Sequence, residues 1–170
     1  RDREHIPLSL LPNLVEIACI DNKSSDNTLE LLHQLQTDRS LPVSPYLTVI
    51  QNSENYNYGG SIKIGYRYLS EQGCDWIIIL HSDDQADPSQ IIADLLAEYR
   101  KFPETDLVLS SRFHPKSDTS HYSAFRVFGN HIFNILTTLA TGLHMSDSGA
   151  AIGMIPVSYT HLTLPTILLV

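Results

Sequence analysis

The sequence has few of the features that mark several large classes of protein. It contains two cysteines, Cys19 and Cys74, each in or beside an apolar stretch, which indicates buried thiols in a reducing compartment and not a disulfide framework. No apolar run reaches the roughly 18 residues of a membrane span, and the charged start lacks the apolar core of a signal peptide. Lysine and arginine total 11 against 19 acidic residues, and the net charge of −8 argues against nucleic acid as a partner.

Motifs of common phosphate and metal sites are missing as well. Neither GxxxxGK[ST] nor GxGxxG occurs, so the P-loop and dinucleotide-binding fingerprints are absent. The histidines show no HExxH or comparable zinc-binding spacing. The chain does not begin with methionine, and we expect it to be part of a longer protein. An acidic chain that binds a phosphate compound needs a metal ion or local cations to offset charge repulsion.

Strand and helix patterns alternate along the chain. Short apolar runs that predict buried strands occur at Leu14–Ile20, Leu47–Ile50, Trp76–Leu80, Leu107–Leu109 and Ala150–Ile155. Helical periodicity separates them. After Asp87, Pro88 suits a first helical turn, and an apolar stripe follows at Ile91, Ile92, Leu95, Leu96 and Tyr99. A last helix over Phe125–Leu139 has as its apolar face Phe125, Phe128, Ile132, Ile135, Leu136 and Leu139. This order predicts an α/β fold, a mostly parallel open sheet with helices on both faces, Rossmann-like. We expect a partial domain over residues 1–156 and a non-native or unstructured tail over 157–170.

Polar side chains follow three of these elements. Asp21 and Asn22 end the first strand, His81 and Asp83 follow Trp76–Leu80, and Ser146-Asp147 precedes the last strand. Ligands of open α/β sheets bind beyond the carboxyl ends of the strands, so we expect these side chains to converge. The set suits a nucleotide diphosphate, with a metal-bound diphosphate at Asp83. The alternative is a series of ordinary Asx-rich turns and helix caps.

The loop Asn55–Gly60 precedes a helix that we expect to start near Gly60 and to end before Gly73. Its backbone amides at a helix N-terminus form a ready anion site. Lys63 and Arg67, one turn apart, either help to hold phosphate or only solvate the helix.

Five segments together resemble the family 2 glycosyltransferases. They are IDNKSSDNT (Ile20–Thr28), NYNYGGSIKIG (Asn55–Gly65), ILHSDDQADP (Ile79–Pro88), SSRF (Ser110–Phe113) and GNHIFNILTTLATGLHMSDSGAAIGM (Gly129–Met154). They are similar to the family's VDDGSxDGT, NxGxxxAxxxG, DxDxQxxP, GSRF and GN…G…Dxx[TS]G[FY]R segments, in the same order. The likeness is greatest to the dolichyl-phosphate-mannose-synthase-like members.

The resemblance implies a GT-A fold and an inverting transfer of a sugar from a nucleotide-diphosphate donor to a lipid phosphate or another acceptor such as a glycan. It implies that Asp147 is the acceptor-side base and that Arg112 steadies the diphosphate or the lipid phosphate. A divalent metal, Mg²⁺ or Mn²⁺, would be bound by Asp83 and His81. The donor contacts implied in this way are Asp21, Asn22, Ser24, Asp26, Asn57, Gly59, Gly60, Lys63, Asp83, Gln85 and Arg112.

The sequence also departs from the family pattern. Asn22 and His81 replace aspartates, Lys23 replaces a glycine, and Ala150-Ala151 replace an aromatic residue and an arginine. Histidine ligates Mn²⁺-like metals better than Mg²⁺. The family's first strand, which lies centrally in the sheet, has no counterpart before Leu14, so we expect a fragment.

Two alternatives to the enzyme remain open. One is a non-catalytic module that binds a nucleotide sugar with the same fold, and the other is an unrelated α/β domain of phosphatase-like or flavodoxin-like type. We expect a cytoplasmic location, at the cytoplasmic face of the membrane in the longer protein, with any membrane association made through regions beyond this sequence.

Overall fold

The structure, a computed structural model, describes residues 13–81, 87–114, 117, 122–150 and 152–158. The elements in chain order are β1 (Ile17–Asp21), α1 (Thr28–Thr37), a short 3-10 helix (Ser44–Tyr46), β2 (Leu47–Gln51), α2 (Asn57–Ser70), β3 (Trp76–Ile79), α3 (Pro88–Lys101), β4 (Val108–Leu109), α4 (Ala124–Thr141) and β5 (Gly153–Pro156). The chain divides into two compact units, residues 1–77 with 155–170, and residues 78–154. The boundary therefore falls within β3 and β5.

The first unit is built around a parallel strand pair. β1 and β2 pair in parallel from Ile17 opposite Leu47 to Asp21 opposite Gln51, and α1 makes the crossover between them. Helix α2 lies close to β1 at Gly65, where an added Cβ would come within 2.6 Å of Ile20 Cδ1. The predicted strand–helix–strand order is confirmed here, and β1 begins at Ile17, three residues after the predicted start at Leu14.

The remaining strands form a sheet in the order β3-β5-β4. β5 runs antiparallel to β4, with Val108 opposite Met154 and Leu109 opposite Gly153. Sequence patterns led us to expect mostly parallel pairing, and this pair is an exception. In the second unit, Ile92, Leu95 and Met154 are buried, so the apolar stripe predicted on α3 does face a core.

Local signals at the helix ends predicted two of the boundaries. Asp87 caps α3, since its carboxylate accepts the Ser89 N–H at 2.8 Å, and Pro88 occupies the first helical turn. Gly73 lies beyond α2 with φ of +76°, a conformation that glycine adopts without strain.

Helix α2 begins at Asn57, three residues before the expected start at Gly60. The Asn55 side chain accepts the Asn57 N–H at 2.9 Å, which supports the earlier start. Gly60 lies within the first turn of α2. A Cβ at this position would come within 2.6 Å of Tyr56 Cβ, which favours glycine there. Gly59 and Gly60 are therefore helical and not part of the preceding loop.

Helix α4 has the expected position, but its apolar face does not pack on a core. The predicted apolar residues are all exposed, and they are Phe125, Phe128, Ile132, Ile135, Leu136 and Leu139. The exposed fraction is 84% for Phe125 and 77% for Leu139. Asn134 is the residue of α4 that is buried. The usual orientation of an amphipathic helix, with its apolar side toward the protein, is thus reversed.

Within the part of the chain that the structure describes, none of the helices combines the length and the apolar character that crossing a bilayer requires.

Candidate functional site

The loop after β1 contains four of the predicted donor contacts. Asp21 is 2% exposed, and its two carboxylate oxygens accept the Ser24 N–H at 3.2 and 3.3 Å. Lys23 between them has φ of +64°, which the family's glycine would adopt without strain. Asp26 accepts the N–H of Thr28, the first residue of α1, and hydrogen bonds from Thr28 lower the pKa of that carboxyl. Both aspartates thus shape this loop.

A network of amide side chains joins this loop to the segment before α2. Asn22 Oδ1 accepts the Tyr56 N–H and Asn52 Nδ2, both at 2.9 Å, and Asn22 Nδ2 donates to Asn55 Oδ1 at 2.7 Å. The backbone N–H of Tyr56 fixes which end of the Asn22 amide is the oxygen. Asn22 therefore uses both ends of its amide, which explains why an aspartate does not fit the network equally well.

The same network leaves one acceptor unpaired. Asn52 Nδ2 also donates to Ser61 Oγ at 2.9 Å, and Asn52 Oδ1 is buried with no hydrogen-bond partner among the described residues. A buried unpaired acceptor costs about 1–3 kcal/mol. Buried polar atoms without a partner are few in native proteins, so this atom is an unusual feature of the network.

The first turn of α2 contributes the remaining predicted contacts of the first unit. Asn57, Gly59 and Gly60 lie in that turn, and Lys63 follows one turn later. Because the amide network links Asn22 to Tyr56 and Asn55, this helix N-terminus lies next to the loop after β1. Backbone N–H groups at such a position favour an anion.

The predicted metal site falls partly outside the described residues. His81 lies two residues after the end of β3 and is half-buried, whereas Asp83 and Gln85 lie outside the described residues. Among residues whose positions are described, no three His, Cys, Asp or Glu side chains converge as metal ligands. The assignment of a metal to Asp83 and His81 stays a prediction.

In the second unit the structure brings Arg112 and Asp147 together. Asp147 Oδ2 accepts the Arg112 backbone N–H at 2.9 Å and Nε–H at 2.8 Å, and Oδ1 accepts Nη2 at 2.7 Å. The Asp147 side chain is 1% exposed and that of Arg112 is 33% exposed. This two-point ion pair leaves the Asp147 carboxylate buried, while the Arg112 side chain stays partly exposed.

The ion pair also sets the charge state of both groups. Burial by itself raises the pKa of Asp147, but the hydrogen bonds from the Arg112 side chain and backbone outweigh it and keep that pKa below its usual range. The hydrogen bond to Asp147 raises the pKa of Arg112. A carboxylate with a lowered pKa is a weaker base, so this geometry is unfavourable for the predicted role of Asp147 in removing an acceptor proton.

A cavity of about 330 Å³ lies beside this ion pair. It is lined by Arg112, Tyr122, Phe125, Arg126, Gly129 and Asn130. Two arginines therefore line one cavity that is open to solvent, and Phe125 is also the first residue of the exposed apolar face of α4. Such a lining suits an anionic group attached to an apolar chain.

Sequence reasoning missed Asn134. Its amide donates to the Ser146 carbonyl at 2.7 Å and accepts the Ser148 N–H at 2.9 Å, so α4 is bonded to both neighbours of Asp147. A single asparagine within a helix gives no distinct signal, since it is equally expected on a solvated face.

The predicted site residues thus form two groups, one in each unit. The first unit contains Asp21, Asn22, Ser24, Asp26 and the start of α2, and the second contains His81, Arg112 and Asp147. Their convergence on one ligand stays a prediction.

Comparisons with known proteins bear on both groups. The family described as Glycosyl transferase family 2 matches residues 8–160. A protein of Yersinia pestis (strain Pestoides F) named undecaprenyl-phosphate 4-deoxy-4-formamido-L-arabinose transferase is 29% identical over 148 residues, which is 87% of this chain and 41% of that protein. A protein of the same name from Yersinia enterocolitica is 30% identical over the same shares. The chain therefore spans less than half the length of these relatives.

The amide network predicts the effect of restoring the family's aspartate. In the variant Asn22→Asp the new carboxylate cannot donate a hydrogen bond to Asn55 Oδ1. Asn55 can donate to this carboxylate only if its amide flips, and the flip breaks the hydrogen bond from the Asn57 N–H to Asn55 Oδ1. We expect the free energy of unfolding, measured by urea denaturation, to fall by about 1 kcal/mol. Adding Asn55→Ser, whose hydroxyl can donate to the carboxylate, should restore part of it. Equal stability of Asn22→Asp and the wild type would show that the network contributes nothing.

The Arg112–Asp147 pair predicts a pH-dependent stability. Because the folded pKa of Asp147 is lowered, the pair stabilises the fold above the unfolded pKa, about 3.9, and this contribution is lost as pH falls toward the folded pKa. We expect Asp147→Asn to cost about 1–3 kcal/mol at pH 7 and to show a smaller loss of stability below about pH 4 than the wild type.

The matched control is Glu98→Gln, which removes the acidic member of the exposed Glu98–Lys101 pair. It should change the free energy of unfolding at pH 7 by less than about 0.5 kcal/mol. Parallel acid denaturation profiles for Asp147→Asn and the wild type would contradict the lowered pKa.

Proposed function

We propose that this chain, which belongs to glycosyl transferase family 2, takes part in the inverting transfer of a sugar from a nucleotide-diphosphate donor to the phosphate of a polyprenyl lipid. The observation that carries the proposal is the cavity lined by Arg112 and Arg126 beside the exposed apolar face of α4. The relatives named as transferases acting with undecaprenyl phosphate support the same kind of acceptor. The finer likeness to dolichyl-phosphate-mannose synthases is not needed for it.

The acceptor site fits a ligand with an anionic head and a long apolar tail. A guanidinium group can donate two parallel hydrogen bonds to the oxygens of a phosphate. In the proposed site, the two arginines that line the cavity would donate to the acceptor phosphate. Phe125 lines the cavity, and the apolar residues of α4 extend from it along the helix. A polyprenyl chain lying on that face would remove apolar surface from water. A water-soluble glycan acceptor would leave that face uncovered.

The choice of acceptor bears on the role of Asp147. A phosphate monoester has a second pKa near 6, so its oxygen is already an anionic nucleophile at neutral pH. That oxygen attacks the anomeric carbon of the sugar, the bond from that carbon to the donor diphosphate breaks, and the electron pair leaves with the nucleoside diphosphate. No proton has to be removed from the acceptor. Asp147 then acts through Arg112, and a role as base would apply only to a hydroxyl acceptor.

The donor is assigned to the first unit and to the end of β3. Asp21, Asn22, Ser24 and Asp26 would surround the nucleoside, and the first turn of α2 with Lys63 would contact phosphate. Asp83, Gln85 and His81 complete the proposed donor side. A divalent metal bound there would stabilise the departing diphosphate, and histidine favours Mn²⁺ over Mg²⁺. Donor and lipid would meet at the cytoplasmic face of a membrane.

A second candidate function is a non-catalytic module that binds the nucleotide sugar. The observation that favours it is the amide network, because Asn22, which replaces an aspartate of the family, is fully used within the protein. Turnover distinguishes the two candidates.

The transfer reaction predicts a lipid-linked product. The full-length protein is incubated with Mn²⁺ or Mg²⁺, a panel of uridine and guanosine diphosphate sugars, and farnesyl phosphate, and the product is detected by mass spectrometry. We expect transfer to farnesyl phosphate and none to farnesol, because the alcohol lacks the anionic nucleophile. Donor binding without turnover would support the non-catalytic module. Transfer to farnesol at the same rate would contradict the phosphate acceptor.

The cavity predicts a specific loss of head-group binding. Replacing Arg126 by alanine removes one charge-assisted contact, worth about 1.5–3 kcal/mol, so the Kd for farnesyl phosphate should rise about tenfold or more. Calorimetric titration measures it, with inorganic phosphate and farnesol as separate ligands for head and tail. Farnesol binding should not change. The control Arg100→Ala removes an equal charge from the last turn of α3 and should leave every Kd unchanged. An unchanged Kd in Arg126→Ala would contradict this assignment.

A further inference from the structure

We propose that Asn134 is a positioning residue that fixes the direction of the Arg112 guanidinium, and this inference rests on the acceptor role proposed for Arg112. Asn134 is 7% exposed, while the large apolar residues of the same helix face solvent. A polar residue buried beneath a helix whose apolar side is exposed is the reverse of ordinary core packing. Its environment therefore calls for an explanation other than burial of apolar surface.

The hydrogen bonds of Asn134 go to both neighbours of Asp147. Nδ2 donates to the Ser146 carbonyl at 2.7 Å, and Oδ1 accepts the Ser148 N–H at 2.9 Å and the Ser148 hydroxyl at 2.7 Å. A backbone carbonyl at one end and a backbone N–H at the other fix the orientation of the amide. Two attachments on either side of one residue restrict the backbone position of that residue, here Asp147.

Asp147 in turn restricts Arg112. Its carboxylate is bonded to the Arg112 backbone N–H and to two nitrogens of the guanidinium, so both ends of the Arg112 side chain are fixed to one group. Gly149 leaves the room for this contact, since a Cβ there would come within 2.8 Å of Arg112 Nη2. The order of dependence is thus α4 through Asn134 to Asp147, and from Asp147 to the guanidinium at the cavity.

This arrangement connects the two parts of the proposed acceptor site. Asn134 belongs to α4, whose exposed face would contact the lipid tail. Its amide also holds Ser146 and Ser148 on either side of Asp147, the partner of Arg112, which would contact the phosphate. Pre-positioning of a guanidinium reduces the entropy lost when it binds phosphate. Loss of the Asn134 amide should therefore weaken phosphate binding without removing any group that touches the ligand.

The experiment compares Asn134→Ala with the wild-type chain by two readouts. The first is the ¹H–¹⁵N NMR signal of Arg112 Nε–H, which is assigned by its loss in Arg112→Lys and reports the bond to Asp147. The second is the Kd for farnesyl phosphate, with farnesol as the tail-only ligand. We expect the Nε–H signal to shift and to exchange faster with solvent, and the Kd for farnesyl phosphate to rise at least fivefold, with farnesol binding unchanged.

The matched control is Gln36→Ala, which removes a side-chain bond of the same type, Gln36 Nε2 to the Leu47 carbonyl at 3.0 Å, in the first unit. It should lower stability without changing either readout. If Asn134→Ala does not fold, Asn134→Asp keeps the two bonds accepted from Ser148 and loses the one to Ser146. Its second oxygen meets the Ser146 carbonyl without a donor, so it should move both readouts in the same direction.

The outcomes separate this inference from the proposed function. An unchanged Arg112 Nε–H signal in a folded Asn134 variant would overturn the positioning role, whatever the ligand affinity. A shifted signal with an unchanged Kd would support the positioning role and would instead overturn the assignment of Arg112 to the acceptor phosphate.

Discussion

The buried carboxylate of Asp147 is the constraint on which the described site of the second unit depends. An ionised carboxylate removed from water is stable only when paired and fully hydrogen-bonded, and Arg112 supplies three donors. The other features follow from this requirement. Gly149 has no side chain because the guanidinium occupies the space, and Asn134 fixes the loop so that the carboxylate meets its partner. The lowered pKa of Asp147 is a consequence of the same contacts.

Much of the secondary structure could be predicted because its signals are local. Apolar runs located the strands, and Asp87, Pro88 and Gly73 located helix ends through their own hydrogen bonding and backbone preferences. Strand direction was harder, since alternation of residue types does not distinguish parallel from antiparallel neighbours. The antiparallel pairing of β5 with β4 therefore could not be derived from either short strand alone.

The site was predictable in its residue types and less so in its contacts. Motif likeness identified Arg112 and Asp147 separately, but they are 35 residues apart in sequence, and their pairing depends on tertiary structure. The orientation of α4 was unpredictable for a related reason. Periodicity defines two faces of a helix and not which one meets the protein, and here the polar residue Asn134 is inside. In sequence, Asn22 is a departure from an aspartate of the family pattern. In the structure its amide both donates and accepts hydrogen bonds, which an aspartate cannot do.

The reversed orientation of α4 and the pairing of Asp147 have a common explanation if the acceptor is a lipid phosphate. A hydroxyl acceptor needs a base to take its proton, and the lowered pKa of Asp147 makes this carboxylate a weaker base. A phosphate needs no base but binds to cationic groups; in the proposed site these are Arg126, which supplies the net positive charge, and Arg112, whose charge is offset by Asp147 but whose orientation is fixed by it. A hydroxyl acceptor that is water-soluble would also leave the apolar side of α4 without a role. The pairing of Asp147, which weakens a base mechanism, therefore favours an anionic head, and the exposed apolar face of α4 favours an apolar tail.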